Sequence, residues 1–218
     1  MNTRRLPIRI ASYCLGLLLL AFGVTFSIKS SLGVSPVNSL PYVLSLISGF
    51  NQGMLTTGVF SFYILVQIII LRKEFKAINF LQIIFAGIFG YFVSFSNFLW
   101  NSLTISDVYI LRLLVLCISM LLVALGLLFY LAADIVPQPA EGIMLAIHQK
   151  TGIEFSMIKV SFDVFIVLIA AAISIAAFGT LKGVREGTLL SAIGIGKLLG
   201  VLNRRYRKSI EAFLNKND

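Results

Sequence analysis

Apolar residues fill six long runs of this chain, near residues 9–28, 54–71, 78–96, 110–133, 156–178 and 186–202, and polar or basic residues gather between them. Each run is within or near the ~20 residues that a helix needs to cross the ~30 Å hydrocarbon core of a bilayer, so the pattern predicts six membrane-spanning helices. Two shorter segments, 36–48 and 139–150, lie between the first and second runs and between the fourth and fifth. As helices they would reach only about 20 Å, too little to span. Each starts on a proline (Pro36, Pro139) and is followed by a glycine (Gly49, Gly152), the residues that open and close helices most cleanly. They are read as two re-entrant half-helices.

The pattern also repeats. Shifting the chain by 103 residues places Arg9 on Arg112, Cys14 on Cys117, Gly23 on Gly126, Pro36 on Pro139 and Gly49 on Gly152, with no gap. Leucines align anywhere in an apolar chain; the Arg, Cys, Gly and Pro positions carry the match. The two copies, 9–96 and 110–202, each hold three spans. An odd number makes the second copy enter the membrane from the opposite side, which gives an inverted repeat within a single membrane domain, 1–218.

Composition agrees with that reading. The chain of 218 residues is 58% hydrophobic and 12% charged, against roughly 45–50% and 25% in soluble domains. The expected fold class is therefore all-α and polytopic. The formal net charge of +9 points to the membrane surface and not to nucleic acid, because the basic residues sit where spans end: Arg4, Arg5 and Arg9; Arg72, Lys73 and Lys76; Arg204, Arg205, Arg207 and Lys208. With the short segments not crossing, all three groups face the cytoplasm, as the positive-inside bias requires, and Lys182 and Arg185 are the exception. The tail, 203–218, is basic and amphipathic and is expected on the cytoplasmic membrane surface. The first run is read as a span and not a cleaved leader, since it is long enough to cross and no convincing cleavage site precedes Ser30. Cys14 and Cys117 are expected to be buried small hydrophobes.

The stretch Leu32-Gly33-Val34-Ser35-Pro36 after the first span, and Glu186-Gly187-Thr188 opening the last, resemble the YczE/YyaS/YitT family of bacterial membrane proteins. The likeness covers most of the chain. It implies a bacterial inner-membrane location and a duplicated fold, and it supplies no substrate.

Charged groups at a span centre cost about 2.5–3.5 kcal/mol on insertion scales, so those present are candidates for function. The starts of the half-helices bring Ser35, Asn38 and Ser39 in one copy and Gln138 and Glu141 in the other; two helix N-termini meeting near mid-membrane would cradle an anion or a polar solute. Glu141 makes the two ends unequal, because its carboxylate would occupy its own helix donors or bind a cation or proton. The plain alternative is that these residues only cap their helices. Lys159 and Asp163 share one face of the fifth span and are read either as a self-neutralising structural pair or as a proton-coupling pair. His148 is read as a helix-end residue, and Glu186 and Thr188 as a helix start among local cations.

No Walker loop, His-Glu-x-x-His helix, plausible Ser/His/Asp set or cysteine pair is present, so neither an enzyme nor a metal or cofactor is expected. The reading is a membrane protein that moves or binds a small polar solute between its two halves. Two further classes stay open: a substrate-capture subunit that needs an ATPase partner, and a non-transporting scaffold. A homo-oligomer or protein partner fits either, and the lipid bilayer is the one partner common to all.

Overall fold

Long stretches of Leu, Ile, Phe, Val and Ala have nothing to gain in the irregular state and everything to satisfy by closing their own backbone hydrogen bonds, and they fold as helices. In the computed structural model, which describes residues 5–50, 52–102 and 105–215, the helices are α1 (Leu6–Lys29), α2 (Pro36–Ser48), α3 (Gln52–Leu71), α4 (Gln82–Leu99), α5 (Tyr109–Ala132), α6 (Pro139–Thr151), α7 (Phe155–Phe178), α8 (Glu186–Leu202) and α9 (Lys208–Asn215). No strand occurs among the described residues. Arg4 lies outside them.

Five segments are long and apolar enough to cross a membrane: Leu6–Lys29, Met54–Glu74, Ala77–Leu99, Tyr109–Ala132 and Phe155–Phe178. The run at 186–202 forms α8, whose 17 residues rise about 25 Å, shorter than the other five. It continues through a π-helical turn, Asn203–Arg207, into α9. The two short helices have the bounds that their proline and glycine signals require. Pro36 and Pro139 are their first residues, and Gly49 and Gly152 end them in the left-handed conformation with φ 72°, which a side chain would strain.

The strongest packing is α1 against α5. The two run antiparallel: Arg9 Nε donates to Ala133 O (2.9 Å), Ser12 Oγ to Phe129 O (3.1 Å), and Ser119 Oγ to Gly23 O (2.7 Å). A Cβ on Gly16 would lie 2.8 Å from Gly126 O, and one on Gly126 2.7 Å from Gly16 O. Small residues let the two backbones touch, as in other membrane helix pairs. Each short helix packs on a long helix, α2 on α7 and α6 on α3.

Polar contacts sort the helix ends. Glu74 meets Gln149 and Lys150, Arg204 meets Glu154, and Arg5 donates to Phe213 O. These gather the start of α1, the ends of α3, α6 and α8 and the start of α7 at one end of the bundle. Hydrogen bonds from Ser156 and Arg204 hold the Glu154 carboxyl below its ordinary range. At the opposite end Lys29 donates to Asn101 O, Arg112 pairs with Asp107, and Arg185 donates to Ser31 O. The tail helix α9 shares a groove with Ile8, Ala11 and Leu15 of α1 and with Leu125 and Leu128 of α5, and its Leu214 is buried.

The helix pairs α3/α4 and α7/α8 pack differently. Helix α8 lies along α7, where a Cβ on Gly196 would come within 2.3 Å of Val160 Cγ2. Helix α4 instead leans on α1, through Ser96 Oγ to Thr25 Oγ1 (2.8 Å) and Thr25 Oγ1 to Asn97 Oδ1 (3.0 Å), and barely meets α3. The cysteines are a correction: Cys14 and Cys117 are exposed on the outer surface of the bundle. Their α1 and α5 neighbours Gly16 and Ser119 take the packed face, which leaves the thiols on the side that bilayer tails would cover.

Candidate functional site

Both short helices begin deep in the bundle because the segments leading to them are tied down. Before α6, Tyr13 Oη donates to Val136 O (2.8 Å) and the Gln138 N–H donates to Tyr130 Oη (2.8 Å). Gln67 and Gln82 exchange amide hydrogen bonds (3.0 and 2.9 Å), and Gln67 Nε2 also donates to Pro139 O (3.0 Å). Before α2, the Gly187 N–H donates to Leu32 O (2.9 Å) and the Val34 N–H to Gly183 O (3.3 Å). Gly33 sits at φ 126°, where a Cβ would lie 2.3 Å from Thr188 Oγ1. The two stretches singled out for their family resemblance thus touch one another, and together they set the position of α2.

The helix starts open onto a cavity of about 60 Å³ whose polar lining is Ser35, Asn38, Gln138, Glu141, Lys159 and Asp163. Residues from three helices or their caps meet there, which sequence spacing alone did not join. Ser39 does not take part: it is fully buried and its Oγ donates to Pro36 O (2.6 Å). Its position three residues after Pro36 lets it close that local bond and leaves it facing protein.

Lys159 Nζ lies 2.9 Å from Asp163 Oδ2, with side chains 3% and 1% exposed. Among the described residues Asp163 Oδ1 and Gln138 Nε2 have no hydrogen-bond partner. Glu141 is 8% exposed. Ser35 and Gln138 occupy the N-cap positions of α2 and α6 without making a side-chain capping bond, so the capping account does not explain them. The cluster holds two carboxylates against one ammonium. Isolated charges are expensive in so apolar a setting unless paired or bound.

A second cavity, about 580 Å³, fills the space left between α3 and α4 and shares Val24, Ser35, Asn38, Phe60 and Phe89 with the first. Thr56, Thr57, Ser94 and Asn97 also line it. Sequence reading missed these four and the Gln67 and Gln82 pair. A lone glutamine amid Ile, Leu and Val was the available signal for Gln67. His148 is exposed, its Nδ1 2.6 Å from Ile153 O at the end of α6. Thr188 accepts from the Arg185 N–H in a capping box, and Glu186 pairs with Arg185 at the exposed start of α8. Among the described residues no group of three His, Cys, Asp or Glu is placed to hold a metal ion.

The profile of a family of unknown function, DUF6198, matches residues 7–204, which take in every residue of both cavities. The chain belongs to DUF6198. This DUF6198 chain is similar to the uncharacterized membrane protein YczE of Bacillus subtilis (strain 168), at 28% identity over 202 residues that cover 90% of the chain and 86% of its relative. The family and the relative agree with the resemblance carried by Leu32–Pro36 and Glu186–Thr188, and with the membrane character of the DUF6198 helices. No solved structure matches it.

Proposed function

We propose that this protein carries a small polar solute across the bacterial inner membrane by alternating access, with the solute held between the starts of α2 and α6. The observation that carries the reading is the difference between the halves: α3 and α4 stand apart around a cavity that leads to the buried polar cluster, while α7 and α8 are closed on each other. A carrier built of two related halves needs such a difference, because exchanging the two conformations moves the opening to the other face.

The inverted repeat is part of the proposal, with α8 as the sixth span. It is supported by the antiparallel pairing of α1 with α5. Gly16 meets Gly126, and the couple that the 103-residue shift puts in their places, Ser119 and Gly23, is in contact too. Ser31 and Asp134, equally spaced, are both non-glycine residues with left-handed backbone, φ 56° and 49°. The helix ends gathered around Glu74, Glu154 and Arg5 support half-helices that return to the side they left. That end carries most of the basic residues, so the positive-inside bias assigns it, with both termini, to the cytoplasm. The 580 Å³ cavity then faces outward, toward Ile28 and Asn97.

The test is a thermal-shift screen of the purified protein against fractionated bacterial metabolites, followed by uptake into proteoliposomes. A bound solute raises Tm by mass action. The expected result is a fraction whose shift disappears in Asn38→Ala, and whose active component accumulates in vesicles bearing wild-type protein. No shift in detergent or in lipid, with no uptake, refutes the carrier reading.

A further inference from the structure

The buried cavity has unmet hydrogen-bonding capacity of both signs. Among the described residues Gln138 Nε2 is a donor without a partner and Asp163 Oδ1 an acceptor without one, in residues 6% and 1% exposed. The two helix starts are also unlike. The first turn of α2 holds no acidic residue, whereas that of α6 carries Glu141. One end therefore offers the positive pole of a helix to an anionic group, and the other presents a carboxylate to a cationic group.

Charge balance narrows the ligand. Glu141 and Asp163 bring two negative charges and Lys159 one positive. Each helix N-terminus adds about half a positive charge. The total is close to zero, so a bare cation or a bare anion would leave a net charge buried in apolar surroundings, which is costly. A ligand with one charge of each sign, and none overall, satisfies both the balance and the two unpartnered atoms.

We propose that the solute is a small zwitterion, with its ammonium at Glu141 and Asp163 Oδ1 and its carboxylate at the first turn of α2 and Gln138 Nε2. This rests on the carrier reading above and narrows it to a solute class. A cavity of about 60 Å³ takes the charged head of such a molecule, and the adjoining 580 Å³ space receives its remainder.

The experiment compares matched probes on the full-length protein in detergent: the common L-amino acids and glycine betaine, the amines that lack the carboxylate, and the acids that lack the ammonium. At equal concentration at least one zwitterion raises Tm, and its matched amine and acid do so far less. Glu141→Gln, with its ligand-free Tm unchanged, weakens that zwitterion at least tenfold; should Glu141→Gln fail to fold, Asn38→Ala gives the same comparison at the carboxylate end. An amine or an acid alone matching the zwitterion overturns the proposal, as does a panel in which no zwitterion shifts Tm. If a metabolite fraction then yields a non-zwitterionic hit that Asn38→Ala abolishes, only the zwitterion is lost and the carrier reading stands. If no fraction yields a hit, both fall.

Discussion

Asp163 is the residue whose removal separates structure from function. One of its oxygens neutralises Lys159 at 2.9 Å in the interior. Asp163→Asn removes the carboxylate paired with that ammonium and leaves Glu141 as its one remaining counter-charge in the cluster; breaking a buried pair in this way costs about 3–5 kcal/mol, read as a lower Tm in detergent. Replacing both partners, Lys159→Met with Asp163→Leu, removes the unpaired charge and is expected to restore most of the lost Tm. A site role predicts that this double variant still gives no solute-dependent shift. A purely structural pair predicts that the shift survives. The pairing itself was legible as an i,i+4 spacing on one apolar helix. Its meeting with Glu141 and Asn38 was not, because those residues arrive from other helices and only tertiary packing joins them. Ser39 illustrates the opposite error: it shares the polar run of Asn38, but a local bond to Pro36 O occupies it.

Helix packing gives a paired prediction from glycines in corresponding helices. Gly196 of α8 faces α7 with no room, Val160 Cγ2 standing 2.3 Å from the place a Cβ would take. Gly196→Ala is therefore expected to cost about 1–3 kcal/mol. Gly87 of α4 lines the open cavity and has nothing within 4 Å, so Gly87→Ala is expected to gain up to about 1 kcal/mol from helix propensity alone. Thermal denaturation of both variants checks the sign of each. Equal losses would mean that α4 rests on α3 in solution, against the separation described above. Pro36, Gly49, Pro139 and Gly152 made α2 readable to the residue and α6 to within one, its last turn running on to Thr151, since those residues act through local backbone geometry. The splaying of α4 was not readable, because its apolar run matches α8 in character and differs only in which neighbour it packs against.

For the molecule as a whole, the placement of charge is the feature most open to measurement. Cysteine substituted for Lys73 should resist a membrane-impermeant maleimide in intact cells, and cysteine substituted for Lys182 should react. Cys14 and Cys117, on the bundle surface within α1 and α5, should contribute no background. Labelling of position 73 from outside would make α2 and α6 crossing segments and dissolve the inverted arrangement. The all-helical, membrane-type architecture was visible in the long apolar runs, while the exposure of the cysteines had to come from packing. Helix α4 adds a last consequence. Only Gln82 and Ser96 of its residues are buried, and Tyr91 and Phe98 stand 80% and 82% exposed. Any swing of this helix thus displaces acyl chains on most of its circumference, so on the carrier reading the resistance to opening and closing is a property of the host membrane as much as of the polypeptide. Turnover in vesicles should accordingly vary with acyl-chain length, even where solute affinity in detergent stays constant.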